Sequence, residues 1–539
     1  MLVDSRLLEP GTAVEADLCI VGGGTAGLTL AREFIGAPVT VCLLESGGRE
    51  PDAETGSLDE GDNIGHPYYP LDTARSRSLG GSSMLWHVPL GGDRVGARMR
   101  PLDSIDFERR EWVPHSGWPF DRKALDSYYA RAQAVCHVGP VGFEPGEWLD
   151  DQSLGALSAA DEDVQPIVYK FCPRDVFAAK YPAEVAGAPN ITTYLHASAL
   201  HLETCPKDDH VTSIQVGTLR GNQFSVRAKT FVLALGGIET PRLLLSSGHE
   251  QSGLGNRNDL VGRFFMEHPH FWSGLIVPPD QKFFERTRMF NNINTVHGTA
   301  VLAKLALREG TIRRERLLNQ NIELVIRNRP DPSKYRRIDR ASVESLKVLL
   351  KGQVRRHAVV HLRNVARGWR DVAATAARRV RGPLPETPVF VCANMAEQVP
   401  NPQSRVTLGS ERDVFGQRKV QLNWQLTQQD IASVVRTQEI LGAALERAGW
   451  GRFHRELFDC SPPPDTHGGY HHMGTTRMHD DPRRGVVDAN GRIHGIANTF
   501  VAGPSVFPTG GYANPVLTIV ALTLKLADHL KQNGFGAHA

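Results

Sequence analysis

The sequence is poor in cysteine and lacks long apolar runs. Its seven cysteines among 539 residues are scattered, odd in number and never in a C-x-x-C pair. This pattern indicates neither a zinc site nor a disulfide framework, so we expect no bound metal and a reducing, cytoplasmic location. No stretch approaches the roughly 20 apolar residues of a membrane-spanning helix. Residues 1–11 lack the basic region and apolar run of a signal peptide, so we expect no such signal.

Acidic residues are scarce in one segment. Residues 334–381 contain 14 Lys and Arg against three Asp and Glu, a net charge of +11, and the chain total of +2 leaves −9 for all other residues. Apolar residues recur three and four apart from Val354 to Ala376, which predicts one face of a helix. We interpret the segment as a solvated helix packed on its domain; the alternatives are contact with anionic lipid or with an acidic partner. Nucleic acid is not expected, because no recognised binding module accompanies the charge.

The N-terminal residues contain a strong local pattern. An apolar run at residues 16–21 is followed by the glycine-rich residues 22–27 (GGGTAG), a helical pattern over residues 25–35 and a second apolar run at residues 39–44. This order predicts a βαβ unit of a parallel sheet. The G-x-G-x-x-G motif permits a tight turn, close approach of a pyrophosphate and close helix–strand packing. With Glu45 placed to bind ribose hydroxyls, we expect a dinucleotide here, although the motif does not distinguish FAD from NAD.

Other pieces of the same sheet are spread along the chain. Apolar runs at residues 229–235 and 499–502 predict buried strands, and residues 240–246 and 515–530 predict helices. The short alternating runs in residues 394–424, separated by turn signals, instead predict antiparallel sheet. A chain of this length is expected to form more than one domain.

The most informative residues lie near the C-terminus. The segment HHMGTTRM occupies residues 471–478, and Asn514 opens an apolar helix, so that His471 stands 43 residues before Asn514. A neutral histidine, with an ordinary pKa of about 6.5, can take the proton of an alcohol. The amide of Asn514 can donate to the same oxygen. Together with the dinucleotide motif at the other end of the chain, this pair suggests a flavin-dependent alcohol oxidoreductase, in which a hydride would pass to flavin N5.

Six segments in order along the chain carry a resemblance to the glucose–methanol–choline (GMC) oxidoreductase family. The segments are the glycine motif with Glu45, residues 75–89, 235–247, 261–269 and 397–408, and the C-terminal residues 471–530. Within the family, the C-terminal motifs are most similar to the branch of pyranose oxidases, glycoside oxidases and sugar dehydrogenases. The resemblance implies an α/β fold with a Rossmann-like, doubly wound FAD-binding domain and an antiparallel-sheet substrate-binding domain.

The resemblance also implies a division into domains. The FAD-binding domain is expected to be discontinuous, and the substrate-binding domain to carry a basic helical insert. The FAD-binding domain would comprise residues 1–100, 195–270 and 460–539, and the substrate-binding domain residues 101–194 and 271–459, with the insert at residues 334–381.

Site residues follow from the same resemblance, position by position. His471, three residues before Gly474, is the expected base, Asn514 is its expected partner, and His472 is expected to point elsewhere. Leu85 stands where some relatives carry a histidine bonded to the flavin, so FAD is expected to bind without a covalent link. The expected cofactor contacts are Gly22, Gly24, Thr25, Ala26, Gly27, Glu45, Ser46, Arg75, Gly80, Gly81, Ser82, Ser83, Leu85, Trp86, Ala199, Gly236, Gly503, Asn514 and Pro515.

The resemblance favours a sugar or a sugar-containing metabolite, such as a glycoside or an aminoglycoside, as the alcohol. The electron acceptor is expected to be O₂, a quinone or another carrier. Two alternatives remain open: a sterol or aliphatic alcohol, and a hydroxynitrile-lyase-like reaction with structural FAD. A non-catalytic role is a third. Residues 271–323 and 386–392 are expected to select the substrate.

Overall fold

The structure, a computed structural model, describes residues 1–150, 162–249, 252–330, 340–350, 358–381, 385–457, 462–463 and 466–533. The strands are β1 (Leu2–Asp4), β2 (Ala13–Val21), β3 (Val41–Leu44), β4 (Gly61–Asn63), β5 (Val88–Pro89), β6 (Val95–Met99), β7 (Val164–Pro173), β8 (Ile191–Leu195), β9 (Ser198–Thr204), β10 (Val211–Gly217), β11 (Gln223–Leu233), β12 (His270–Val277), β13 (Asn294–Val296), β14 (Thr299–Leu307), β15 (Gln320–Pro330), β16 (Glu386–Ala396), β17 (Arg405–Arg412), β18 (Arg418–Asn423), β19 (Arg452–Arg455) and β20 (Thr499–Val501).

The α-helices are α1 (Thr25–Glu33), α2 (Ala53–Gly56), α3 (Ser104–Phe107), α4 (Asp126–Val135), α5 (Tyr181–Gly187), α6 (Gly236–Leu245), α7 (Phe283–Arg286), α8 (Arg288–Asn291), α9 (Glu309–Glu315), α10 (Arg340–Leu350), α11 (Ala358–Arg367), α12 (Trp369–Arg381), α13 (Gln428–Arg447) and α14 (Val516–Asn533). Short 3₁₀ turns occupy Ser5–Leu7, Ser57–Asp59, Leu71–Thr73, Gly81–Leu85, Arg122–Leu125, Pro145–Glu147 and Pro504–Val506, and a π-helical turn Val176–Lys180. None of the described helices is long and apolar enough to cross a membrane.

An eight-stranded, mainly parallel sheet gathers strands from both ends of the chain. Its order is β1-β8-β3-β2-β11-β10-β9, with β20 paired to β11. The pairs from β1 to β11 and the β11–β20 pair are parallel, whereas β10 and β9 extend the sheet antiparallel. Strand β3, which lies between β8 and β2, is buried along its whole length, as expected for a parallel strand covered on both faces. Helices α1 and α14 pack together, so the N-terminal glycine motif and the C-terminal helix lie next to each other.

A second sheet is antiparallel and follows the order β19-β12-β16-β15-β14-β7-β6-β5. A separate apolar cluster lies beneath it and includes Phe290, Phe390 and Trp450. The two sheets together confirm the expected fold class, a doubly wound α/β sheet combined with an antiparallel sheet.

The strands cross two of the domain limits expected from the sequence. Strand β8 pairs with β3 of the parallel sheet, so the limit between residues 194 and 195 falls inside a strand. Strands β5 and β6 pair with the antiparallel sheet through β7, although residues 1–100 were assigned to the other domain. Both differences arise because the local pattern of a short strand indicates a strand but does not indicate which sheet it will join.

The basic insert, residues 334–381, lies between β15 and β16, which are paired antiparallel from Gln320 to Pro330. The expectation of one helical face from Val354 to Ala376 is wrong, because α11 and α12 are separate helices that meet at Gly368. A Cβ on Gly368 would lie 2.2 Å from Oγ of Ser342 in α10, so the break coincides with close helix packing. Val354 itself lies outside the described residues.

Candidate active site

A cavity of about 710 Å³ extends from the glycine motif to His471 and Asn514. The glycine-rich turn after β2 and Glu45 after β3 line it from the parallel sheet. Strands β12, β14, β15 and β16 line it from the antiparallel sheet, and the first turn of α14 with the residues before it completes the wall. The cavity therefore lies where the two sheets and the two chain ends meet.

The glycine motif forms a tight turn between β2 and α1. Gly22 adopts φ +107, where a side chain is disfavoured, and its N–H donates to the Leu44 carbonyl at 2.8 Å. A Cβ on Gly27 would lie 1.8 Å from the Gly22 carbonyl oxygen, so only glycine allows α1 to pack this close to β2. A Cβ on Gly24, by contrast, would have no heavy atom nearer than 3.8 Å. The turn therefore leaves room for a ligand beside the backbone of Gly24, whereas the backbone at Gly27 is in close contact with the Gly22 carbonyl.

Glu45 is buried and held by the backbone. Its Oε2 accepts from the Gly23 N–H at 2.8 Å and its Oε1 from the Gly47 N–H at 2.9 Å. Burial raises the pKa of this carboxyl, and the two backbone donors oppose that shift. The carboxylate is thereby fixed in the cavity wall next to the glycine motif.

Most of the expected cofactor contacts line this cavity. Those that do are Gly22, Gly24, Thr25, Ala26, Glu45, Ser46, Arg75, Gly81, Ser82, Ser83, Leu85, Trp86, Gly236, Gly503, Asn514 and Pro515. Three lie elsewhere among the described residues. Gly27 packs behind the turn, Gly80 donates its N–H to the Gly23 carbonyl at 2.9 Å, and Ala199 lines a small side cavity together with Glu45 and Ser46.

Arg75 is engaged in an ion-pair cluster that the sequence did not predict. Its Nε lies 2.9 Å from Asp59 and its Nη2 2.9 Å from Glu239, while Arg77 donates to the same two carboxylates. The three neighbouring arginines, Arg77, Arg242 and Arg75, lower the pKa of Glu239 to about 2 against its burial. The cluster ties the loop at residues 75–77 to the start of α6 and so supports the cavity wall.

His471 lies in a chain of three polar side chains. The Asn514 amide Nδ2 is 3.0 Å from His471 Nε2, and His268 Nδ1 is 2.9 Å from His471 Nδ1. His268 Nε2 lies 3.2 Å from the Gly510 carbonyl oxygen. His268, in the MEHP segment, was not singled out from the sequence as a site residue. It lies beside His471 because Met266 and Met473 form an antiparallel bridge between the two segments.

This chain of contacts defines which nitrogens carry protons. The Gly510 carbonyl can only accept, so the single N–H of neutral His268 is on Nε2. His268 Nδ1 is then an acceptor, and it takes the Nδ1–H of His471. The remaining nitrogen of His471, Nε2, is therefore unprotonated, and its lone pair accepts a hydrogen bond from the Asn514 amide at 3.0 Å. The arrangement presents His471 Nε2 as a base.

Burial keeps these histidines uncharged near neutral pH. It lowers the pKa of His268 from 6.5 to about 4 and that of His270 to about 3. The pKa of His471 is also lowered well below its ordinary value, first by burial and then by the neighbouring histidines and Arg98. A neutral imidazole can accept a proton, whereas an imidazolium cannot.

Glu267 organises the backbone around His471. This fully buried carboxylate accepts the backbone N–H groups of Gly469, His471 and His268, all within 3.0 Å, and the hydroxyl of Tyr68. His472 Nε2 lies 2.8 Å from that Tyr68 hydroxyl. His472 thus contacts Tyr68 rather than Asn514, and its pKa is lowered to about 3 by burial.

Aromatic and charged residues line the part of the cavity near His471. Tyr69 stacks on Tyr470 with ring centroids 4.5 Å apart, and Trp272 also lines the wall. Lys304 pairs with Glu323 at 2.9 Å, and Lys304 followed by Arg98 lowers the pKa of Glu323 to about 2. Residues 386–392 do not line the cavity; strand β16 contributes residues 393–395 instead.

Within the described part of the chain, no group of three or more His, Cys, Asp or Glu side chains is arranged to hold a metal ion. His268 and His471 contact each other, and their remaining ring nitrogens contact the Gly510 carbonyl and the Asn514 amide.

Residues 400–523 match the family described as GMC oxidoreductase. Paromamine 6'-oxidase of Streptomyces fradiae is 24% identical to this chain, over 95% of this chain and 90% of the relative. 6'''-Hydroxyparomomycin C oxidase of Streptomyces lividus is also 24% identical, over 97% of this chain and 93% of the relative. Fructose dehydrogenase large subunit of Gluconobacter japonicus is 27% identical, over 64% of this chain and 54% of the relative.

Solved structures with the same fold include pyridoxine 4-oxidase from Mesorbium loti and a formate oxidase. Each has a TM-score of 0.55 and 18% identity. The alignment covers 96% of this chain and 99% of pyridoxine 4-oxidase, and 98% and 99% respectively for formate oxidase. These similarities concern the fold.

Proposed function

We propose that this chain is a GMC oxidoreductase that uses FAD to oxidise a hydroxyl group of a sugar-like small molecule. The observation that carries the proposal is the geometry of His471. Its Nε2 lone pair lies beside the Asn514 amide in a cavity that continues to the dinucleotide-type glycine turn.

The residues of the chain supply the proton chemistry. An alcohol hydroxyl, with a pKa of roughly 16, needs a base within hydrogen-bond reach in order to ionise. A bound alcohol would take the place of the Asn514 amide at His471 Nε2. His471 Nε2 then accepts the hydroxyl proton, and Asn514 Nδ2 donates to the alcohol oxygen and orients the carbon. The proton leaves the imidazole positively charged, and His268 Nδ1 stabilises that charge by accepting the Nδ1–H. His268 acts through His471 and is a positioning residue.

The cavity suits FAD on its own geometry. Gly22 and Gly24 let the backbone approach a pyrophosphate, and Glu45 lies where ribose hydroxyls can donate to it. Oδ1 of Asn514 is buried without a hydrogen-bond partner among the described residues, which leaves it available to a bound group. FAD, when bound, supplies the two-electron redox chemistry. Leu85 offers no nucleophile, so we propose that FAD is bound without a covalent link.

The substrate is proposed to be a glycoside or an aminoglycoside. The two relatives that cover nearly the whole chain are named as oxidases of paromamine and of 6'''-hydroxyparomomycin C. The cavity near His471 combines aromatic surfaces, Trp272 and the Tyr69–Tyr470 pair, with the Lys304–Glu323 ion pair. Such a mixture of apolar walls and few polar groups is typical of a site that orients a small polar ligand.

A spectroscopic titration tests this proposal. Purified protein is mixed without oxygen with free sugars, glycosides, aminoglycosides, sterols and simple alcohols, and the oxidised flavin band is followed. We expect bleaching with a sugar-bearing compound, and the later admission of air distinguishes O₂ from other acceptors. Bleaching by sterols or aliphatic alcohols alone would contradict the sugar substrate. Turnover of a hydroxynitrile with no change in the flavin band would contradict oxidation.

We also propose that the basic insert contacts an anionic membrane surface. Helix α11 directs polar residues inward, since His361 and Asn364 both lie 3.2 Å from Oγ of Ser345. Its outward residues are apolar: Val359 is 77% exposed and Leu362 57%. Arg363 and Arg367 on α11 and Arg370 on α12 are also exposed. Apolar residues beside cations are the composition of helices that lie in a lipid interface.

A further inference from the structure

Away from the active site, a cavity of about 400 Å³ is lined by four arginines and two histidines. It lies between the segment that follows α6 and the residues after His471, and none of its lining residues lines the active-site cavity. We name it the Arg477 cavity. Its lining residues are His115, Asn258, Asp259, Leu260, Arg263, Phe264, Pro402, Arg477, His479, Arg483 and Arg484.

Arg477 is the unusual member of this group. It is 2% exposed, and its Nε and Nη1 have no hydrogen-bond partner among the described residues. Its Nη2 donates to the His115 carbonyl, and its guanidinium lies 4.4 Å from the centre of the Phe264 ring. A buried, unpaired charge is destabilising unless a counter-ion provides hydrogen bonds.

The two residues that hold Arg477 have strained backbones. His115 has φ +62 and Phe264 φ +61, in the left-handed region that bulky residues rarely adopt. Their rings contact each other edge to face, with centroids 5.2 Å apart. Strained residues of this kind collect at ligand sites, where the surrounding structure holds them in place.

The charge balance of the cavity favours an anion. Arg263 pairs with Asp259, which also accepts from Arg405, and Arg483 pairs with Asp481. Arg477 and Arg484 have no carboxylate partner in the part of the chain that the structure describes. Burial, followed by the charge of Arg484, lowers the pKa of Arg477 to about 10, which still leaves it charged at neutral pH.

We propose that the Arg477 cavity binds a phosphate group, either as the free anion or as a phosphate monoester of a small metabolite. The Nε and Nη1 groups of Arg477, which have no hydrogen-bond partner among the described residues, can donate to two oxygens of a tetrahedral oxyanion. Arg484, exposed at the mouth, adds a second cation that can close on the bound group. This site is independent of the proposed alcohol oxidation.

The test uses the full-length, FAD-loaded protein in chloride buffer. The probes are inorganic phosphate and phenyl phosphate, each compared with NaCl at the same ionic strength by calorimetry and by thermal unfolding. We expect both phosphates to bind and to raise the melting temperature beyond the effect of NaCl. Tighter binding of phenyl phosphate would identify a monoester as the ligand, and equal or weaker binding the free anion.

Two matched substitutions locate the binding. Arg484→Ala should weaken phosphate affinity about 10-fold, the effect of losing one charge-assisted hydrogen bond. Arg452→Ala removes an arginine that is also exposed but lies outside the cavity, and it should leave affinity unchanged. Equal affinities in these two variants would overturn the proposal. So would a thermal shift that NaCl reproduces. Because binding is measured without an alcohol substrate, either result leaves the proposed oxidation untouched.

Discussion

Nδ1 of His268 and Nδ1 of His471 lie 2.9 Å apart, and this contact determines which nitrogen of His471 is available to a substrate. The Gly510 carbonyl occupies the only N–H of neutral His268, so His471 must donate through Nδ1 and keep Nε2 unprotonated. His268, which determines the protonated nitrogen of His471, thus precedes His471 by 203 residues in the sequence.

Replacing His268 should therefore impair catalysis without removing the base. For His268→Ala we expect kcat to fall between about 10-fold and 100-fold, part of the full contribution of acid–base catalysis, with KM little changed. His268→Asn keeps an acceptor near the position of Nδ1 and should restore most of the loss. Nitrogen-15 spectra of labelled histidine should show His471 protonated on Nδ1 in the wild type. Protonation on Nε2 there would contradict this assignment.

Replacing His471 itself should be more severe. His471→Ala removes the proposed base, and we expect turnover to fall about 100-fold or more while FAD stays bound. Turnover is measured by flavin reduction, and FAD content by the absorbance of the purified variant. His201→Ala, whose ring contacts the Ser246 carbonyl away from the cavity, serves as a control and should retain activity. Loss of FAD from the His471 variant would indicate that the histidine is structural.

Stability should fall in acid because of buried histidines such as His270. Its pKa is lowered from 6.5 to about 3 by burial, so between these values the unfolded chain binds a proton that the folded chain does not. Stability is therefore lost as the pH falls, by about 1.4 kcal/mol per pH unit for this residue. In His270→Gln the free energy of unfolding should therefore decrease less steeply between about pH 6 and pH 4, by about 1.4 kcal/mol per pH unit. Urea unfolding at several pH values measures this slope. Parallel curves for the two proteins would refute the shift.

FAD should be released when the protein is denatured. Leu85 cannot bond to flavin, so acid precipitation should leave the yellow colour in the supernatant and unmodified protein in the pellet, as measured by mass spectrometry. If the colour stays with the protein, His87 is a candidate for the link, since it lines the cavity two residues after Leu85. His87→Ala would then release the flavin.

The basic insert should bring the protein to anionic vesicles. We expect it to sediment with vesicles that contain phosphatidylglycerol but not with pure phosphatidylcholine, and salt should weaken the binding. Val359→Ser with Leu362→Ser should reduce binding about 10-fold or more, because each side chain loses apolar area that lipid would cover. The control is Val414→Ser, which changes a 74% exposed valine outside the insert. Equal binding of both variants, or self-association through the insert, would argue against a lipid contact.

The sequence by itself determined the local elements and the residues whose chemistry depends on near neighbours. The apolar runs and the glycine spacing predicted β2, α1 and β3, because a βαβ turn is encoded within some 30 residues. The fold class also followed from ordered motifs, and the solved structures confirm it. Residues 400–523 match the model of the family that the same motifs resemble. The placement of His471 beside Asn514 agrees with their expected pairing.

Only the tertiary structure decided what surrounds these residues. His268 and Glu267 reach His471 because residues 266 and 473 pair across two distant segments, and no local pattern records such a pairing. The insert shows the same limit. Its 3.6-residue period predicted an apolar face, yet the pattern cannot state whether that face turns toward the protein or away from it. In α11 the polar residues find partners on α10, and so the apolar side is left outward.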